Sequence, residues 1–161
     1  MIRYKREDLI KQLAIHEGVE LEVYEDTLGI ETIGIGRNLK DRGIADLELA
    51  HINKTMSEIY EDGITEEDAY FLAERDIDIV EGELFAAKPI CNRLDGIRQM
   101  ILLDMAFNMG IPRLMKFKKM WANIEGNHYE LAAIEMLDSL WADQVKGRAT
   151  KLSEAMKTGI I

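Results

Sequence analysis

Thr65, followed at once by Glu66, Glu67 and Asp68, opens the longest unbroken helical pattern in the chain. The threonine hydroxyl is a good N-cap, the carboxylate three residues on occupies the capping-box position, and negative charge gathers at the positive end of the helix dipole. Ala69, Leu72, Ala73, Ile77, Val80 and Leu84 then carry the apolar stripe to about Ala87, before Pro89 stops it. A helix of this length measures roughly 30 Å at 1.5 Å per residue, about the width of a small domain. It is long enough to tie two lobes together, and 161 residues suffice for one full core or two small lobes sharing one.

What precedes this helix changes period. Leu9, Ile10, Leu13 and Ala14 recur at helical spacing and Gly18 supplies a stop, so a first helix ends at or next to Glu17. From Leu21 to Gly36 the β-branched residues Val23, Thr32, Ile33 and Ile35 are punctuated by Gly29, Gly34 and Gly36, which predicts a hairpin or small sheet with Asp26 where the first strand turns. Residues 41–62 show only partial helical spacing. After Pro89 the pattern is helical throughout, in four stripes: Leu94 to Met105, Leu114 to Ile124, Tyr129 to Trp141 and Val145 to Met156. The fold class is therefore α+β, mainly α.

Charge and composition remove several functions. A net charge of −10 repels nucleic acid and anionic lipid. The charge is uneven: residues 1–88 hold 10 basic against 22 acidic side chains, and residues 89–161 hold 10 against 8. No apolar run reaches the length of a membrane span, and Met1 to Lys11 lacks the apolar stretch of a signal peptide, so membrane insertion is not expected and a cytoplasmic site of synthesis is. The single cysteine, Cys91, cannot form an internal disulfide. No serine stands in a G-x-S-x-G turn, "HEGVE" at His16 lacks the second histidine of a zinc hydrolase, and no phosphate-binding loop is present. No metal or organic cofactor is implied.

Paired carboxylates remain. Glu17, at a helix end beside apolar residues, is placed to keep a proton, whereas Asp26, on a polar turn, is placed to stay ionised. One carboxyl that donates a proton and one that takes a proton from water is what breaking a glycosidic bond requires, and Thr32 offers a hydroxyl to hold that water.

The set of motifs narrows this further. "EG" at Glu17–Gly18, "YEDT.G" from Tyr24 to Gly29 and "TIGIG" from Thr32 to Gly36, with "FNMG" at Phe107 to Gly110, "W..Q..GRA" from Trp141 to Ala149 and "TG" at Thr158–Gly159, resemble the phage-type lysozymes of glycoside hydrolase family 24, its T-even members above all. The resemblance covers nearly the whole chain. It implies a single lysozyme domain over 1–161 with a bilobed, lysozyme-like fold: a small β-containing lobe at 18–64, a connecting helix at 65–87, and a helical lobe from 1–17 and 88–161. It also implies Glu17 as general acid, Asp26 as the carboxylate that activates water or steadies positive charge, and Thr32 as the group positioning the water. The reaction would be hydrolysis, with inversion, of the β-1,4 bond between N-acetylmuramic acid and N-acetylglucosamine in peptidoglycan. The protein would be a monomer held in the host cytoplasm and would reach the wall through a lesion made by a holin, for lysis of the host.

By the same resemblance Phe107, Asn108, Gln144 and Arg148 line the substrate cleft, with Arg148 paired to Glu17. A guanidinium there favours the charged carboxylate, so either burial outweighs it or substrate rearranges the pair. Arg37 stands where T-even members carry a histidine that forms a buried ion pair, and Asp76 matches its partner, which predicts a structural Arg37–Asp76 bridge that does not titrate near neutral pH. T-even members are strongly basic, so the acidic charge of this chain is a departure; Lys116 to Lys119 with Lys146, Arg148 and Lys151 offer a local positive patch. Two other readings compete: a peptidoglycan-binding or interaction module that keeps the fold without catalysis, and a lytic transglycosylase, which needs an acid but no water-activating Asp26.

Overall fold

The computed structural model describes residues 1–161 and divides them into two compact units, Ile10–Asp78 on one side and Met1–Leu9 with Ile79–Ile161 on the other. Helix α1 (Arg6–Glu17) and helix α4 (Glu66–Ala87) each contribute residues to both units. Thr65 caps α4 as expected from its hydroxyl, accepting from the Asp68 amide at 3.1 Å while Asp68 accepts from the Thr65 amide at 3.1 Å.

In the unit Ile10–Asp78, α1 ends against Gly18, whose amide donates to Ala14 at 3.0 Å with φ +79°, a left-handed stop that costs glycine little. Three antiparallel strands follow in the order β1 (Glu20–Glu25), β2 (Glu31–Gly34), β3 (Arg37–Asn38). Register sets Tyr24 opposite Thr32 and Thr32 opposite Asn38. Ile33, on the other face of β2, packs with Ile52, Ile59, Ile64, Ala69 and Leu72 to form this unit's core, and Val23 covers it from β1. The stretch that sequence left partly legible becomes two short helices, α2 (Asp46–Ile52) and α3 (Met56–Asp62), which supply Ile52 and Ile59 to that core.

The other unit is wholly helical. A 3-10 turn (Pro89–Arg93) leads into α5 (Gly96–Met109), in which every residue from Gln99 to Ala106 is buried, the mark of a helix surrounded on all sides. Gln99 satisfies its buried amide by accepting from the Arg3 amide at 2.7 Å and donating to the Met1 and Cys91 carbonyls at 2.8 and 2.9 Å. Helices α6 (Ile111–Leu114), α7 (Lys118–Glu125), α8 (Tyr129–Leu137), α9 (Leu140–Val145) and α10 (Gly147–Thr158) complete it. The stripe expected as one helix from Tyr129 to Trp141 is broken, because Ser139 is extended and its hydroxyl accepts from the Ala142 amide at 3.1 Å, starting α9 afresh. No helix of the molecule is long and apolar enough to cross a membrane.

Candidate active site

Glu17, Asp26 and Thr32 all belong to the unit Ile10–Asp78. Glu17 is the last residue of α1, half-buried, and its side chain lies against Gly36 in the turn after β2. A β-carbon built on Gly36 would stand 3.3 Å from Glu17 Oε2 and 3.4 Å from its Cγ, and Gly36 has φ +68°. Glycine thus provides both the backbone conformation and the bare surface on which this carboxyl rests.

Asp26 is aimed by its own turn. Its backbone exchanges bonds with Ile30 and Gly29, at 2.9 and 3.0 Å, and its Oδ1 accepts from the amides of Leu28 at 2.8 Å and Ile30 at 2.9 Å. Both side-chain bonds fall on Oδ1, which leaves Oδ2 for solvent or substrate. Thr32 is 5% exposed, and its hydroxyl donates to the Ile30 carbonyl at 2.9 Å. With that proton committed, the Thr32 oxygen can serve a ligand only as an acceptor. Ile30 therefore organises both side chains, through its amide to Asp26 and its carbonyl to Thr32.

Tyr24 lies near both carboxylates. Burial pushes its phenol above the usual value, and the negative charges of Glu17, Glu20 and Asp26 push the same way. The sequence motif contains Tyr24, but nothing in the pattern marks it apart from an ordinary strand aromatic.

Behind the strands sits a buried ionic cluster. Arg37, 2% exposed, donates through Nε to Asp76 at 2.8 Å, and through its two terminal nitrogens to Glu48 at 3.0 and 2.9 Å and to the carbonyls of Gly43 and Leu72 at 2.9 and 3.1 Å. All five guanidinium donors are used. Glu48, fully buried, also accepts from Arg75 at 3.0 Å and from the Ala45 amide at 2.9 Å, while Arg42 reaches Asp76 at 3.2 Å. Burial pushes the Glu48 carboxyl up, but the Arg37 hydrogen bonds, the Ala45 amide and the charges of Arg37 and Arg42 outweigh it and bring it to about 2. For Asp76 burial wins over Arg37 and Arg42, and the carboxyl is raised. Glu48 is the member that sequence reasoning missed.

The remaining predicted residues lie in the other unit. Phe107 is half-buried near the end of α5; Asn108 is exposed and accepts from the Trp141 indole at 2.9 Å. Gln144 accepts from Arg113 at 2.6 Å. Arg148 donates through Nε to the fully buried Asp104 at 2.9 Å, with a terminal nitrogen also 2.9 Å away. The same unit holds a cavity of about 450 Å³ lined by Arg113, Lys116, Lys118 and Lys119, with Phe117 and Trp141 among its aromatic walls and Glu135 and Asp138 among its acids. No cluster of His, Cys, Asp or Glu suited to a metal ion is present.

The phage lysozyme family model matches residues 14–155. The pre-baseplate central spike protein Gp5 of Enterobacteria phage T4 is 35% identical over 94% of this chain, which spans 28% of that protein's length. Two proteins of Dictyostelium discoideum, probable T4-type lysozymes 1 and 2, are each 33% identical over 92% of this chain and 93% of their own length.

Proposed function

The chain belongs to the phage lysozyme family, and from that premise we propose that it hydrolyses the β-1,4 bond between N-acetylmuramic acid and N-acetylglucosamine in peptidoglycan by general acid/base catalysis with inversion. Family and full-length relatives make it a glycoside hydrolase of the lysozyme type. The mechanism is our reading of the site. Glu17 gives its proton to the leaving glycosidic oxygen as the bond to the anomeric carbon breaks. Water attacks that carbon from the opposite side, one of its protons passes to Asp26 Oδ2, and its other hydrogen is held by the Thr32 oxygen.

The observation that carries this reading is the division of Asp26 between a locked oxygen and an uncommitted one, beside a hydroxyl that can only accept. Product analysis of purified peptidoglycan by mass spectrometry tests it. Reducing ends support hydrolysis, anhydro-muramic ends would reassign the enzyme as a transglycosylase, and intact polymer would leave a binding module. The cavity lined by Lys116, Lys118, Lys119, Phe117 and Trp141, with Glu135 and Asp138 among its acids, offers cations and aromatic faces to a sugar polymer bearing carboxylates, and we propose Phe107, Asn108, Gln144 and Arg148 as substrate-binding residues.

Two further results are expected. Gly36→Ala forces a side chain into left-handed backbone, at about 1–2 kcal/mol, and also crowds the Glu17 carboxyl; kcat should fall by more than the loss of folded protein explains, checked by melting curves beside rates. The acidic charge should repel an anionic wall, so salt up to about 0.15 M should raise the hydrolysis rate by screening. A falling rate would remove the electrostatic part of the reading.

For its biological role we propose lysis of the host from the cytoplasm, as a monomer, through a holin-made lesion. The match to a spike protein supports a second role, in which the same cleavage serves a phage particle. Immunoblots of purified particles separate the two: absence from particles, with lysis on permeabilisation of expressing cells, fits the first.

A further inference from the structure

We propose that Tyr24 is a positioning residue for hydrolysis, its phenol donating a hydrogen bond to the water that Asp26 and Thr32 hold. The inference rests on the hydrolase reading above and assigns a role to a side chain which that reading does not use.

Strand register carries it. Tyr24 and Thr32 are directly opposed in the antiparallel pair, so their side chains leave the same face of the sheet, with β-carbons about 5 Å apart. That face is opposite the Ile33 core, to which the neighbouring Val23 turns. Thr32 thus has an aromatic ring beside it and the Asp26 turn two residues beyond Tyr24.

A half-buried phenol ordinarily finds a partner for its hydroxyl. Tyr4, Tyr60 and Tyr129 each donate to a side chain, of Glu81, Glu31 and Asn127 respectively, while half-buried Tyr70 on α4 donates to none and has no carboxylate of the site beside it in the sheet. Tyr24, surrounded by the charges of Glu17, Glu20 and Asp26, donates to no protein group. The charges and burial that raise its pKa keep the phenol protonated, and so a donor, across the neutral range.

The bonding capacity of one water molecule gives the hydroxyl its task. A water offers two hydrogens and two lone pairs. Asp26 Oδ1 is filled by amides, so Oδ2 takes one hydrogen; the Thr32 proton is spent on Ile30, so its oxygen takes the other. One lone pair must face the anomeric carbon. The other needs a donor, and Tyr24 is a neutral donor projecting from that face. With three protein contacts the water's orientation is fixed before the sugar arrives, which is the entropic advantage of a positioned nucleophile.

Tyr24→Phe removes one oxygen and keeps the ring. On soluble uncross-linked peptidoglycan strands, kcat should fall about 10- to 100-fold, with KM and the melting temperature unchanged and both limbs of the pH profile in place. Unchanged kcat would overturn the proposal. So would a lowered melting temperature that accounts for the lost rate, since the hydroxyl would then be structural, or a displaced limb of the profile, since it would then act on a carboxylate instead of the water. Failure of the underlying reading is distinct and precedes any variant: the unaltered protein would release no reducing ends.

Discussion

Replacing Glu17 by Gln should lower kcat on purified peptidoglycan by about 10² to 10⁴-fold, the range that a positioned general acid contributes. The amide keeps the size of the side chain, so its rest against Gly36 is retained and folding should be little affected. Asp26→Asn should be similarly damaging for a different reason. Its Oδ1 can go on accepting from the Leu28 and Ile30 amides while an NH2 group replaces Oδ2, and an NH2 group cannot take a proton from water. The paired experiment is informative because the readings diverge. A transglycosylase would lose its rate with Glu17→Gln and keep much of it with Asp26→Asn, whereas a hydrolase needs both. If both variants cleave at the unaltered rate, the site lies elsewhere on the molecule.

The second large effect concerns folding. Glu48→Gln should destabilise the protein by about 3–5 kcal/mol, because it leaves the buried Arg37 without the charge that two of its donors face. For a chain of this length each kcal/mol shifts the melting temperature by about 2–4 °C, so a drop of about 10 °C is expected in a calorimetric scan. The pH dependence follows from the direction of the shift. The carboxyl of Glu48 lies at about 2 in the folded protein against 4.5 ordinarily, so its contribution to stability is complete above about 4.5 and is lost as pH falls towards 2. Asp76, raised in the folded state, has the opposite sign and offsets part of this loss on acidification. Glu48 has the larger shift, so the unaltered protein should lose stability across that window and Glu48→Gln should show a flatter acid limb. A variant that melts within 2 °C of the unaltered protein would mean that the cluster is neutral to folding.

These residues also show what a sequence makes legible. Glu17, the Asp26 turn and the long helix announce themselves through local chemistry: a glycine stop, an aspartate that accepts from amides two and four residues ahead, a hydroxyl cap. Each signal and its partner lie within one helical turn or one hairpin. Residues 41–62 are mixed in this respect. Helix α3 carries a local signal that sequence reasoning passed over, the Thr55–Glu58 capping box, in which Thr55 Oγ1 accepts from the Glu58 amide at 3.2 Å and Glu58 accepts from the Thr55 amide at 2.8 Å. Helix α2 lacks one for a physical reason. Helix α2 begins after Ala45, which has no side-chain oxygen to cap it, and the orphan amide of Ala45 is satisfied instead by Glu48. That same Glu48 is turned inward by Arg37 and Arg75, from β3 and α4. Both the helix start and the burial of an acid inside "LELA" are therefore decided by groups distant in sequence, and in a chain with 30 acidic residues nothing nearby distinguishes this one. The break between α8 and α9 was missed on a smaller scale, because apolar spacing continues through Ser139 while its backbone does not. Tyr24 is visible only through register, since what singles it out is the residue across the strand.

The turn that aims Asp26 has a last consequence, for tolerance to changes in length. Every bond that orients this carboxylate comes from residues 28–30, so its aim is a property of a five-residue loop and is indifferent to remote packing. An insertion of a single residue between Thr27 and Gly29 would lengthen a surface loop at little thermodynamic cost, yet rotate the base away from its water. This short loop is in this respect intolerant of editing: the protein would fold with it at the wrong length and fall silent.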